Sequence, residues 1–186
     1  MTDAETALKK LVEGNGRFVK NMMSHHHRMH ERRMEVARGQ NPFAVVVGCS
    51  DSRVPPEIVF DQGIGDIFVV RTAGNVVDEV ALGSIQYAVE HLHVRLVVVL
   101  GHKRCGAVDA CVKDMNAQGE LKKVMDAIGP AVEKARGQGG DMIENAVREN
   151  VRSTMIKIRK SLPSAPRECR VVGALYDLDH GTVSLL

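Results

Sequence analysis

Phe43-Ala44-Val45-Val46-Val47-Gly48-Cys49-Ser50-Asp51-Ser52-Arg53 is the stretch that decides the fold class. Its first five residues are all apolar and three are β-branched. A strand with one wet face would alternate apolar and polar residues, whereas an unbroken run suits a strand buried on both faces. Ile67-Phe68-Val69-Val70 and Leu96-Val97-Val98-Val99-Leu100 repeat that character. Between these two runs, Ala81, Leu82, Ile85, Ala88, Val89 and Leu92 recur at helical spacing, which predicts an amphipathic helix over residues 81–92. Strands alternating with helices predict an α/β domain with a central, mostly parallel sheet and right-handed crossovers.

The same reading extends outward. On the N-terminal side, Ala7, Leu8, Leu11, Phe18 and Met22 follow rough helical spacing over residues 4–22, interrupted by Gly14 and Gly16. A charged stretch follows to residue 38, so residues 1–38 are expected to form a helical arm and residues 43–186 the α/β core. Residues 113–141 are polar and punctuated by glycine, and read as short helical pieces and loops. Ile143, Val147, Val151, Met155 and Ile158 mark a further amphipathic helix. Val171-Val172-Gly173-Ala174-Leu175-Tyr176 is a fourth strand candidate. Asp177-Leu178-Asp179-His180-Gly181 then turns the chain into a short C-terminal edge strand, residues 182–185. No repeat or linker divides the chain, so one domain spanning 1–186 is expected.

Bulk properties narrow the function. A chain of 186 residues suits one core of useful size. Lys plus Arg number 25 against 23 for Asp plus Glu, and the basic residues are scattered, so nucleic acid is not an implied partner. No run approaches the roughly 20 apolar residues that span a bilayer, which excludes a membrane helix. The start, Met1-Thr2-Asp3-Ala4-Glu5-Thr6, is polar and acidic with no apolar signal core behind it, and this predicts a cytoplasmic protein. In a reducing compartment Cys49, Cys105, Cys111 and Cys169 point to metal or thiol chemistry more than to disulfides. Ser24-His25-His26-His27-Arg28-Met29-His30 is dense in imidazole, but neighbouring positions on one segment cannot all face one ion. It reads as a solvated helix start or loop.

The chemistry is concentrated where two strands end. The first runs into Gly48-Cys49-Ser50-Asp51-Ser52-Arg53 and the third into Gly101-His102-Lys103-Arg104-Cys105-Gly106. Open parallel sheets bind ligands beyond the carboxyl ends of their strands. If the two strands are neighbours, Cys49, His102 and Cys105 converge into a Cys₂His set, a combination used by catalytic zinc with its fourth position open. Cys105, near the start of a helix, would have its thiolate favoured by the helix dipole. Taken alone, these three residues equally suit an inert core. Asp51 and Arg53 leave the first strand end beside Cys49. There the carboxylate could accept a hydrogen bond from metal-bound water while Arg53 holds it. An ordinary salt bridge would explain the pair but not its position.

Together these segments resemble the two signature motifs of β-class carbonic anhydrases. Val69-Val70-Arg71-Thr72-Ala73-Gly74-Asn75 and Gly83-Ser84-Ile85-Gln86-Tyr87-Ala88 are similar to the family's connecting segments. The resemblance runs from Asn15-Gly16-Arg17-Phe18 to Tyr176-Asp177. It implies one zinc per chain, on Cys49, His102 and Cys105, with Asp51 and Arg53 as a catalytic dyad. The implied activity is reversible hydration of carbon dioxide to bicarbonate and a proton. Gln40, Phe68, Ala73 and Tyr87 fall where the family lines its substrate pocket, although these residue types suit a core as well. The resemblance also implies a homodimer or homotetramer, with the N-terminal helix packed on a neighbouring subunit. Some bacterial members carry a Trp in the N-terminal region that helps form a regulatory bicarbonate pocket, and their Asp can swing onto the zinc. This chain has no Trp, and Phe18 falls roughly there, so Asp51 is expected to stay with Arg53.

Hydrolysis of carbonyl sulfide or carbon disulfide on the same fold is the nearest rival, since the motifs do not separate these triatomic substrates. A zinc-stabilised interaction domain with Asp51 as fourth ligand is the other, and the presence of Arg53 speaks against it. Cys111 and Cys169 read as core residues, His91 and His93 as surface histidines. Gly63-Ile64-Gly65 lacks the third glycine of a dinucleotide fingerprint.

Overall fold

The computed structural model describes residues 2–24, 30–113, 116–162, 165–166 and 168–186. The histidine-rich residues 25–29 lie outside them. The elements run α1 (Ala4–Val19), α2 (His30–Val36), β1 (Ala44–Cys49), α3 (Pro56–Val59), β2 (Ile67–Thr72), α4 (Glu79–Glu90), β3 (Leu96–His102), α5 (Gly106–Val112), α6 (Glu120–Ala135), α7 (Met142–Ser161), β4 (Arg170–Tyr176) and β5 (Val183–Leu185). Among the described residues the five strands form one sheet of order β2-β1-β3-β4-β5. The first four strands are parallel and β5 pairs antiparallel with β4, so the expected mostly parallel α/β sheet with a C-terminal edge strand is what forms.

Every residue of β1 and β3 is buried, as their unbroken apolar runs require. Successive side chains leave opposite faces of the sheet. Val45, Val47, Val97 and Val99 therefore pack with Ile85, Val89 and Val151 from α4 and α7. Ala44, Val46, Val98 and Leu100 pack instead with Ala4, Ala7 and Leu11 of α1 and with Phe60. The Ala4–Ala7–Leu11 stripe of the arm thus covers its own sheet. Among the described residues α2 buries none of its side chains.

Local sequence explains the helix limits. Asp3, Asp78 and Asp141 cap α1, α4 and α7 by accepting backbone N–H bonds from Thr6, Ala81 and Glu144. Gly101 lies where α7 crosses the sheet: a Cβ there would stand 2.5 Å from Val151 Cγ2. The expectation of short helical pieces over 113–141 is corrected by α6, a continuous 16-residue helix. Gly129 and Pro130 obscure its periodicity in the sequence. Burial of Ile128, Ala131, Val132 and Ala135 overrides their poor helix propensity. Among the described residues no helix is long and apolar enough to cross a membrane.

Candidate metal centre

Cys49 is the last residue of β1 and His102 the last of β3, and the two strands are hydrogen-bonded neighbours. Cys105 is the residue that caps the start of α5, one turn beyond His102. The two sulfurs lie 3.9 Å apart, and all three ligand atoms lie within 4.8 Å of one another. Two Zn–S bonds of ordinary length at a tetrahedral angle would hold their sulfurs about 3.8 Å apart, so the pair is spaced for one ion.

His102 is 0% exposed. Its Nδ1 lies 3.0 Å from the Lys103 carbonyl, which can only accept, so the proton sits on Nδ1. The Nε2 lone pair is left buried, with no hydrogen-bond partner among the described residues. An orphaned buried acceptor is costly unless something meets it. With two thiols beside it the donor set fits a cation of zinc's type, and a backbone carbonyl that fixes the imidazole tautomer is the usual support for such a ligand.

Cys49 Sγ accepts N–H bonds from Asp51 (3.4 Å) and Gly74 (3.3 Å). The hydrogen bond from the Cys105 thiol, then those from these amides, pull the Cys49 thiol down against the cost of burial. Cys105, the donor to Cys49 and itself buried, is pushed up. Cys49 is thus the readier thiolate of the pair.

Asp51 is gripped by Arg53. Nε donates to Oδ1 at 2.9 Å, Nη2 to Oδ2 at 2.7 Å, and the Arg53 backbone N–H to Oδ1 at 2.9 Å. The guanidinium holds the Asp51 carboxyl well below the usual carboxylate range. Asp51 Oδ2 stands 3.8 Å from His102 Nε2, at the edge of the centre. Arg71, quoted in the sequence only as part of a motif, clamps the same loop: Nε donates to Cys49 O at 2.9 Å and Nη2 to Asp51 O at 2.6 Å. Its signal was visible, since a charged residue follows four apolar ones near the end of β2.

The expected pocket residues divide. Ala73 adjoins Gly74, whose N–H reaches Cys49. Phe68 pairs in register with Val45, whereas Thr72 pairs with Cys49, so Phe68 lies four residues, about 13 Å, back along the sheet. Tyr87 packs 6.5 Å from Phe68 between ring centroids and is 46% exposed. Gln40 is exposed and precedes β1. Within one chain these three are not brought to the centre. His91 and His93 are exposed at the opposite end of β3. Cys111 and Cys169 are half-buried, and none of the four cysteines is joined in a disulfide.

A buried Cys–His–Cys group at the carboxyl edge of an open parallel sheet defines an α/β protein with a cluster that could hold a metal ion. Comparison with known proteins makes the class specific. A family model described as carbonic anhydrase matches residues 44–183. "Carbonic anhydrase 2" of Mycobacterium tuberculosis is 42% identical, over 99% of this chain and 93% of the relative. The carbonic anhydrase of Mycolicibacterium smegmatis is 39% identical, over 96% and 91%. One of the tetrameric β-carbonic anhydrases of Sordaria macrospora superposes with a TM-score of 0.73 at 27% identity, covering 82% of this chain and 84% of that one. This chain belongs to the carbonic anhydrase family, in its β class, and is an enzyme of that kind.

Proposed function

We propose that the chain catalyses the reversible hydration of carbon dioxide to bicarbonate and a proton, with one zinc ion held by Cys49, His102 and Cys105. The observation that carries this reading is the orphaned His102 Nε2 facing two cysteines, beside an Asp51 held by Arg53. When bound, zinc supplies a Lewis acid that makes water nucleophilic near neutral pH. Asp51, kept ionised by Arg53, accepts a hydrogen bond from the nucleophile and turns its lone pair toward the carbon of carbon dioxide. Arg53, by holding both carboxylate oxygens, keeps Asp51 from moving in as a fourth ligand. Arg71 fixes the backbone of the Cys49–Asp51 loop, so ligand and dyad keep their relative positions.

The site is completed in a homodimer, which can pair into a tetramer. Supporting this, Gln40, Phe68 and Tyr87 stand away from the centre of their own chain, and Tyr87 presents an exposed ring. A second copy could bring such residues to the first copy's pocket. Four cysteines outside any disulfide support a reducing compartment, the cytoplasm.

Stopped-flow hydration of carbon dioxide by zinc-loaded protein, with metal-stripped protein and carbonyl sulfide in parallel, tests the reading. Zinc-dependent hydration is expected. Hydrolysis of carbonyl sulfide without hydration of carbon dioxide would overturn it.

A further inference from the structure

Asn150 and Thr154 place polar side chains on the buried stripe of α7, and Lys157 flanks it. Asn150, Thr154 and Lys157 lie at i, i+4 and i+7, and all three donate to one loop. Asn150 Nδ2 reaches Gly74 O at 2.7 Å, Thr154 Oγ1 reaches Asn75 O at 3.4 Å, and Lys157 Nζ reaches Val77 O at 2.6 Å. Asn150 is 2% exposed, deep among Val147 and Val151. This loop supplies the Gly74 N–H that donates to Cys49 Sγ.

The loop does not hold its shape by itself. Gly74 and Asn75 both take left-handed backbone angles, φ +65° and +48°. Consecutive residues in that region persist only where their surroundings fix them. Asn150 is the side chain that fixes the first of the two, by satisfying a carbonyl that would otherwise be buried and unpaired.

We infer that Asn150 is a positioning residue for the metal centre: through Gly74 it aims a backbone N–H at the Cys49 sulfur and so sets how that sulfur binds a soft cation. The inference rests on the zinc site proposed above. Hydrogen bonds to a ligand atom tune its donor strength, and outer partners of this kind typically change metal affinity about 10–100-fold. Asn150→Ala should open the Gly74 carbonyl, let the loop relax and move the N–H off the sulfur.

The test is a chelator competition for zinc, together with the thiolate-to-cobalt charge-transfer band of cobalt-substituted protein. Wild type, Asn150→Ala, Asn150→Ser and Lys157→Ala are compared, each with its circular dichroism and Tm. Asn150→Ala is expected to hold zinc about 10–100-fold more weakly and to shift the cobalt band, with Asn150→Ser intermediate. Lys157→Ala, which touches the loop three residues beyond Gly74, should match wild type in both. A role in stability alone would lower Tm while leaving affinity and band where they were, and that result overturns the inference. If Asn150→Ala does not fold, Asn150→Ser decides by the same readouts. Wild type that takes up no zinc would overturn the site itself; wild type that binds zinc with an indifferent Asn150 overturns only this step.

Discussion

Arg53 grips Asp51 by both carboxylate oxygens and again by its own backbone N–H, while one of those oxygens faces the His102 Nε2 across 3.8 Å. The carboxylate therefore stands at the edge of the centre with Arg53 holding it there. Asp51→Ala and Arg53→Ala should keep their zinc and lose about 10²–10⁴ in hydration rate, the usual cost of removing a positioned acid–base or orienting group. Arg53→Lys should not restore the rate fully, because an ammonium cannot reproduce the two-pronged grip. Metal content and stopped-flow rates measured on one preparation check this. Near-normal turnover in both alanine variants would reduce the pair to a salt bridge.

Zinc content should discriminate sharply among the cysteines. Cys49→Ser, His102→Ala and Cys105→Ser are expected to lose most of their metal, whereas Cys111→Ser and Cys169→Ser retain it. Elemental analysis after gel filtration decides. Full occupancy in any two of the first three variants would remove the assignment.

The Asp51–Arg53 pair also leaves a mark on acid stability. A carboxyl whose folded pKa lies below its unfolded value of about 3.9 contributes stability above that value and loses it as pH falls toward the folded one. Metal-free wild type should exceed Asp51→Asn in Tm by a constant margin from pH 8 to about 5, and the margin should narrow below about pH 4. A margin that widened in acid would contradict the sign of the shift.

Gly101→Ala should destabilise the fold by about 1–3 kcal/mol, the range for forcing an extra methyl into a filled core. The added carbon would meet Val151 Cγ2 at 2.5 Å. Urea unfolding of the two proteins measures the difference. Pairing the change with Val151→Ala should recover part of the loss.

The strands of the sheet were legible because β1 and β3 announce themselves by unbroken apolar runs that end in candidate ligand residues. That Cys49 and His102 would meet was conditional on strand adjacency, which no single strand encodes; the pairing of Val45 with Val97 supplies it. The long helix α6 was hidden by Gly129 and Pro130, since its stability comes from burial of Ile128 and Val132 and not from local propensity. Asn150 could have been noticed as a polar residue on the apolar stripe of α7, between Val147 and Val151. Its partner, the Gly74 carbonyl, lies 76 residues away, a distance across which sequence spacing says nothing. The resemblance assigns Phe68 and Tyr87 to the pocket; within one chain, strand register sets Phe68 back from Cys49, and Tyr87 packs beside Phe68.

Two of the three proposed ligands terminate strands that are zipped to each other along Val45–Gly48 and Val97–Leu100. The sheet brings them together through backbone pairing, before any ion is needed to bridge them. On the zinc site proposed above, protein made without zinc should be folded but inactive, and should gain activity on addition of the ion without new synthesis. Its abundance would report expression, and its activity would report the zinc available.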